Sequence, residues 1–264
     1  MKTIYKKAIK LKKKELKKIR VSFSPEVVKA AAFSVGGEFR SVEYSLETTK
    51  RFPVLVELKS RLFPNHDLIE NFQPLTIARA LISAGMETAV IIATDSEFMG
   101  GDPSWINLVK MHTQLPVIQT DFFIHSDQMY QSKAIGADAV ILDTKLLAGK
   151  EIGEIGESAR NMGMEVFLQV GSSADLETSF AAELSGIILD LDRLPNGSID
   201  FDILKAVNRL ISGKTFLLAR CLPQSAAELS ALQAGGAHGV ILNDDFWRQS
   251  RHFLDVYRKI VSWV

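Results

Sequence analysis

The chain has 264 residues, 47% of them hydrophobic. That is enough for a full core, and barrels of roughly 250 residues commonly form one unit, so length does not demand two domains. A formal net charge of zero argues against a general attraction to nucleic acid. The single cysteine, Cys221, excludes an intrachain disulfide framework and fits a reducing compartment. No apolar run approaches the roughly 20 residues of a membrane span, and the N-terminus lacks the apolar core of a secretory signal. A cytoplasmic protein is the expectation.

Charge is unevenly placed. Residues 1–20 carry nine lysines and Arg20 against Glu15 alone, a local charge of +9, so the remainder carries −9. Ile4, Ala8, Leu11 or Leu16, and Ile19 recur at helical spacing among those lysines, which predicts an amphipathic helix. Two uses are open. The helix packs its apolar stripe on the body and leaves its lysines in water, or it docks on an acidic protein partner or another anionic surface.

From residue 53 onward, short apolar runs alternate with helical stretches. The runs are 53–59, 88–93, 116–119, 139–142, 165–170, 186–189, 215–219 and 239–242. Most are apolar throughout, as strands of a parallel sheet covered on both faces should be. Helices are expected over 74–84, 126–135, 153–162, 173–183, 201–210 and 225–234. Four of the helical stretches end in a glycine-bearing turn just before the next run, at Gly85, Gly136, Gly163 and Gly235-Gly236, where positive φ closes a helix. Eight βα units predict a (β/α)₈ barrel over 53–250, with residues 1–50 as a helical extension of the same domain. The alternative, an open doubly wound sheet, usually carries a Gly-rich phosphate loop after its first strand. Here Ser60-Arg61-Leu62-Phe63-Pro64 follows. With no such loop and no His-x-x-x-His spacing, neither a cofactor nor a specific metal site is expected. Asp121 and Asp143, after the third and fourth runs, leave an oxygen-ligand site only geometrically open. The histidines and the three tryptophans read as surface and packing residues, with His125 just beyond the third run.

The wording of several segments carries a resemblance. Leu115-Pro116-Val117-Ile118-Gln119-Thr120-Asp121-Phe122 precedes Gln128 and Gly136-Ala137-Asp138-Ala139-Val140-Ile141-Leu142. Val56-Glu57-Leu58-Lys59 comes before them, and so does Thr94 to Gly101 with Phe98 inside. In this order they resemble the indole-3-glycerol phosphate synthase family of tryptophan biosynthesis. That family reads A-E-x-K, T-x-x-x-F-F-x-G, P-V-L-R-K-D-F-I and G-A-D-A-V-L-L. The resemblance implies a carboxy-lyase that closes an indole ring on a phosphorylated substrate, with its site at the C-terminal ends of the strands.

Carried over position by position, the site is mostly replaced. Glu57 and Lys59 keep the family's residues. The lysine taken as general acid falls on Thr120, and the glutamate proposed as base falls on Gln169, which cannot accept a proton. The family's Asn and Arg on strand six land near Ile188 and Asp190. Its E-S-G on strand seven reads Arg220-Cys221-Leu222, and its phosphate-binding glycine pair on strand eight reads Asn243-Asp244, followed by Asp245. A like charge about 4 Å from a phosphate costs on the order of 4 kcal/mol at an effective dielectric of about 20. A phosphate monoester is therefore a poor fit, unless Asp244 turns to solvent as a helix N-cap.

Three functions stay open. One is a degenerate barrel kept for binding or complex formation. Another is altered chemistry on a small non-phosphorylated carboxylate, with Asp121, Gln169, Asp190 and Arg220 as binding residues and Arg220 as the clamp. The third is the original lyase. Glu57, Lys59, Arg220 and Asp190 could instead simply neutralise one another, since charges in a barrel mouth must be paired.

Overall fold

The computed structural model describes residues 2–22, 25–34, 38–62, 67–69, 71–177, 183–211, 215–249 and 252–264. Eight parallel strands close into a barrel: β1 (Val54–Leu58), β2 (Val90–Ala93), β3 (Val117–Thr120), β4 (Ala139–Asp143), β5 (Glu165–Val170), β6 (Gly186–Asp190), β7 (Phe216–Arg220) and β8 (Gly239–Leu242). Each pairs with its sequence neighbours, and β8 closes on β1 with Val54 opposite Val240. Closure rules out the open sheet. It also leaves no barrel edge to protect.

Strand alternation sorts the side chains. Leu55, Ile91, Ile118, Ile141, Phe167, Ile188, Leu218 and Ile241 fill the interior, while Val54, Val56, Leu58 and their counterparts face the surrounding helices. Gly186 makes room for the largest interior residue, because a Cβ there would lie 2.5 Å from the Phe167 ring. The lower end is plugged by α3 (Val42–Thr48), whose Val42 and Leu46 join the interior cluster. Glu165, at the start of β5, accepts the backbone N–H groups of Val42 and Glu43 and so caps that helix.

The outer helices are α4 (Pro74–Ser83), α5 (Ser104–His112), α6 (Asp127–Ala134), α7 (Gly149–Asn161), α8 (Ser173–Glu177), α9 (Phe201–Leu210) and α10 (Ala226–Ala234). The glycines expected to close helices do so at Gly85, Gly136, Gly163 and Gly236, all at positive φ. Helix α7 starts four residues before its expected first turn, because the Glu151 carboxylate accepts the Ala148 N–H and fixes an earlier start. Residues 178–182 of the expected helix over 173–183 lie outside the described residues, as do Phe63, Pro64 and His66.

The basic segment is helix α1 (Lys2–Ser22), followed by α2 (Pro25–Ser34), so the extension expected over 1–50 is helical. Ala8 and Leu16 are buried and most of the lysines are exposed, so α1 packs on the barrel along its apolar stripe. One lysine departs from that pattern: Lys12 is buried with the stripe. Two short helices, α11 (Asp244–Arg248) and α12 (Phe253–Val261), close the chain. No described helix is long and apolar enough to cross a membrane.

Candidate active site at the barrel mouth

The C-terminal ends of the strands enclose a cavity of about 470 Å³. Glu57 from β1 and Lys59 just past it line this cavity with Thr120, Asp121, Asp143, Gln169, Asp190, Arg220 and Asp244. Every site residue expected from the sequence is therefore brought to one place. Tyr5 of α1 also reaches the cavity wall.

A continuous ion network spans the mouth. Lys59 Nζ lies 2.9 Å from Glu57 and 2.5 Å from Asp244. Arg220 lies 2.9 Å from Glu57, 3.4 Å from Asp244 and 3.5 Å from Asp190, which is opposite it in the strand register. Asp190 also receives Lys145 at 2.6 Å and both contacts of the Gln169 amide at 3.0 Å. Burial pushes the Glu57 carboxyl up, but Lys59 and Arg220 outweigh it and hold it at about 2. Burial likewise raises Asp190, and Arg220 with Lys145 brings it below the usual carboxylate range. Glu57 and Lys59 are thus locked into mutual neutralisation with Arg220, Asp190 and Asp244.

Asp143 behaves differently. It ends β4 beside Gln169, and its carboxylate accepts the Lys145 N–H at 2.8 Å and the Tyr5 hydroxyl. Burial pushes it up to about 6, against the Lys145 amide and ammonium. It is a carboxyl poised near neutrality at an open cavity, where the sequence offered it only as an open metal ligand. Among the described residues no group of three or more His, Cys, Asp or Glu is arranged to hold a metal ion.

The loop after β8 is where the resemblance puts the family's phosphate site. Asn243, not Asp244, caps α11, its side chain accepting the Asp245 N–H. The expectation of Asp244 as a solvent-facing cap is corrected: its carboxylate turns inward because two cations, Lys59 and Arg220, wait there. On the strand-seven side, Leu222 gives its carbonyl to Arg193, which is itself held bidentately by Glu228. Cys221 is buried, and burial raises its thiol to about 12, so it is not a nucleophile at neutral pH. His125 stays outside the mouth, exposed and bonded to Arg20.

Lys12 was missed by the sequence reading. Its ammonium sits 2.8 Å from Asp121, 3.2 Å from Asp95 and 3.1 Å from Glu15. Burial opposes that charge, yet Asp121 and Asp95 hold it above the ordinary lysine range. Asp95 also caps the loop after β2 through the Phe98 N–H, and Phe98 stacks edge-on against Phe122, which in turn meets Tyr5. Helix α1 is thereby pinned across the β2–β3 side of the mouth. The usable signal was the spacing Tyr5, Ala8, Lys12, Leu16, one face of a helix.

The comparisons with known proteins bear on the family and on the fold. A family model for indole-3-glycerol phosphate synthase matches residues 5–254. The indole-3-glycerol phosphate synthase of Bacillus licheniformis is 27% identical over 222 residues, 83% of this chain and 87% of that one. That of Carboxydothermus hydrogenoformans is 26% identical over 192 residues, 72% of each. Among solved structures, a mutant tryptophan synthase alpha-subunit from Pyrococcus furiosus superposes with a TM-score of 0.61 at 12% identity, covering 80% of this chain and 96% of that one. Orotidine 5'-phosphate decarboxylase from Pyrococcus horikoshii gives 0.58 at 13%, covering 80% and 100%. At such identities these two support the barrel alone. On the extent of the family match, this chain belongs to the indole-3-glycerol phosphate synthase family.

Proposed function

We propose that this chain is a catalytically degenerate member of its family, a barrel kept for binding or complex formation rather than for closing the indole ring. The observation that carries this reading is Asp244. Its carboxylate rests on Lys59 and Arg220 at the phosphate end of the inherited cavity, so an internal anion already holds the cations a phosphate would need. Thr120 and Gln169 at the positions of acid and base support it further. Loss of either group costs roughly 10²–10⁴ in rate, and although such losses do not simply add, acid, base and phosphate anchor are replaced together. A cytoplasmic setting suits this reading, and exposed Lys6, Lys10, Lys13, Lys14 and Lys17 on α1 offer a face to an acidic protein partner.

Titration calorimetry with indole-3-glycerol phosphate tests the reading. No heat of binding is expected up to millimolar ligand, and micromolar affinity would overturn it.

A second reading, altered chemistry in the same cavity, is favoured by Asp143 alone. A carboxyl held near neutrality suits general acid–base work. The carboxylate ligand suggested by Arg220 fits less well, because Lys59, Arg220 and Lys145 are each already paired.

A further inference from the structure

The charges around the cavity do not cancel. Glu57, Asp190 and Asp244 are balanced by Lys59, Lys145 and Arg220, Asp245 by Arg248, and Asp121 by Lys12. Among the described residues, Asp143 and Asp192 have no cation within ion-pairing distance. Asp192 is exposed at the rim. Asp143 is set into the wall, where Lys145 supplies only its backbone N–H and sends its ammonium to Asp190 instead. Beside Asp143 the wall changes character: Tyr5, Met99, Phe122 and Leu146 form one apolar cluster that borders the cavity.

A carboxylate with no cation beside it, next to an apolar aromatic wall and inside a cavity of about 470 Å³, selects ligands by the sign of their charge. An anion entering would meet surplus negative charge and no free cation. A cation would gain the one partner that Asp143 lacks, and its body would cover apolar surface. The Tyr5 ring adds a face suited to an ammonium.

We propose that the mouth of this barrel binds an organic amine, its ammonium on Asp143 and its apolar body against Tyr5, Phe122 and Leu146. The proposal rests on the loss of phosphate chemistry argued above and deepens it by naming the ligand class for the same cavity, at its Asp143 side. Small-molecule sites are cavities of roughly 300–1,000 Å³, in which a few placed polar groups set the ligand's orientation.

The test uses two probes that share an indole ring and differ in charge, tryptamine and indole-3-propionate, titrated into the full chain at pH 7.5. Tryptamine is expected to bind at least tenfold more tightly than the carboxylate. Asp143→Asn keeps the acceptor for the Lys145 N–H but removes the charge. It should weaken tryptamine about tenfold and leave indole-3-propionate unchanged. If that variant does not fold, Leu146→Lys puts a like charge beside the ammonium and should weaken tryptamine likewise, while favouring the propionate. Tryptamine affinity should also fall as pH drops below about 6. There Asp143, faced by Tyr5, Lys145, Gln169, Asp190 and Arg220, takes up a proton.

Equal or tighter binding of the propionate, no tryptamine binding at millimolar concentration, or an affinity indifferent to the variant that folds overturns the proposal. If the synthase reaction is also absent, only the amine inference has failed. Turnover of the phosphorylated substrate removes the reading beneath it, whichever way the amines behave.

Discussion

Replacing Lys12 with methionine frees α1 from the barrel while the barrel itself stays folded. The ammonium of Lys12 is buried against Asp121 and Asp95, and removing one partner of a buried ion pair costs about 3–5 kcal/mol because the other charge stays behind without water or partner. Methionine restores the apolar volume but not the charge. What remains to hold α1 is modest: Ala8 and Leu16 as buried apolar residues, half-buried Tyr5 and Leu11, the Tyr5 hydroxyl on Asp143, and exposed Arg20 on Asp127 and His125. The loss therefore falls on the local docking of α1 and not on the closed sheet, since protein segments open locally at their own free energies. Hydrogen exchange followed by mass spectrometry checks it. Amides of α1 should exchange roughly a hundredfold faster or more, at about 1.4 kcal/mol per tenfold, with the barrel strands unchanged. Unaltered protection of α1 would show that the ion cluster does not hold the helix.

Arg220→Met is expected to reverse the response of stability to acid. In the wild-type chain Glu57 is held at about 2 against an ordinary 4.5. That pair's contribution is fully present above about pH 4.5 and is lost as pH falls toward 2, on the order of 3 kcal/mol in all. Without the guanidinium, Glu57 and Asp244 share Lys59 alone, and Asp190 keeps Lys145 as its one cation beside the Gln169 amide. Crowded carboxylates then bind protons more readily in the folded state than in the unfolded one, so stability must rise as pH falls. Urea unfolding at pH 7.5 should show a loss of about 3–5 kcal/mol, partly recovered at pH 5. A variant as stable as wild type at pH 7.5, or one that weakens on acidification in parallel with it, would mean that Arg220 is not the hub of the network.

Much of the barrel was legible because its physics is local. The eight apolar runs became strands within two residues at either end, and the glycines placed before four of them took the positive φ that closes a helix. What could not be read was which face of each strand points inward. Val54 and Leu55 are equally apolar, yet one meets helices and the other the interior.

At the mouth, the resemblance carried over position by position brought out Glu57, Lys59, Gln169, Asp190 and Arg220, and Asp121 follows directly on the third apolar run. Three features escaped. Lys12 looked like eight other lysines, and only its register with Ala8 and Leu16 separates it from them. Tyr5 is remote in sequence from every strand that it touches. The inward turn of Asp244 depends on two cations supplied by β1 and β7, a contact between distant segments that no local pattern encodes.

The most direct test of the central claim is a fluorescence assay for indole-3-glycerol phosphate formation from the phosphorylated ribulose substrate, run beside an active synthase of the family. With Thr120, Gln169 and Asp244 at the positions that the resemblance assigns to acid, base and phosphate anchor, no turnover above background is expected. Turnover within a hundredfold of the active enzyme, abolished by Lys59→Ala, would contradict the account and show that the paired charges at the mouth rearrange to do the original chemistry.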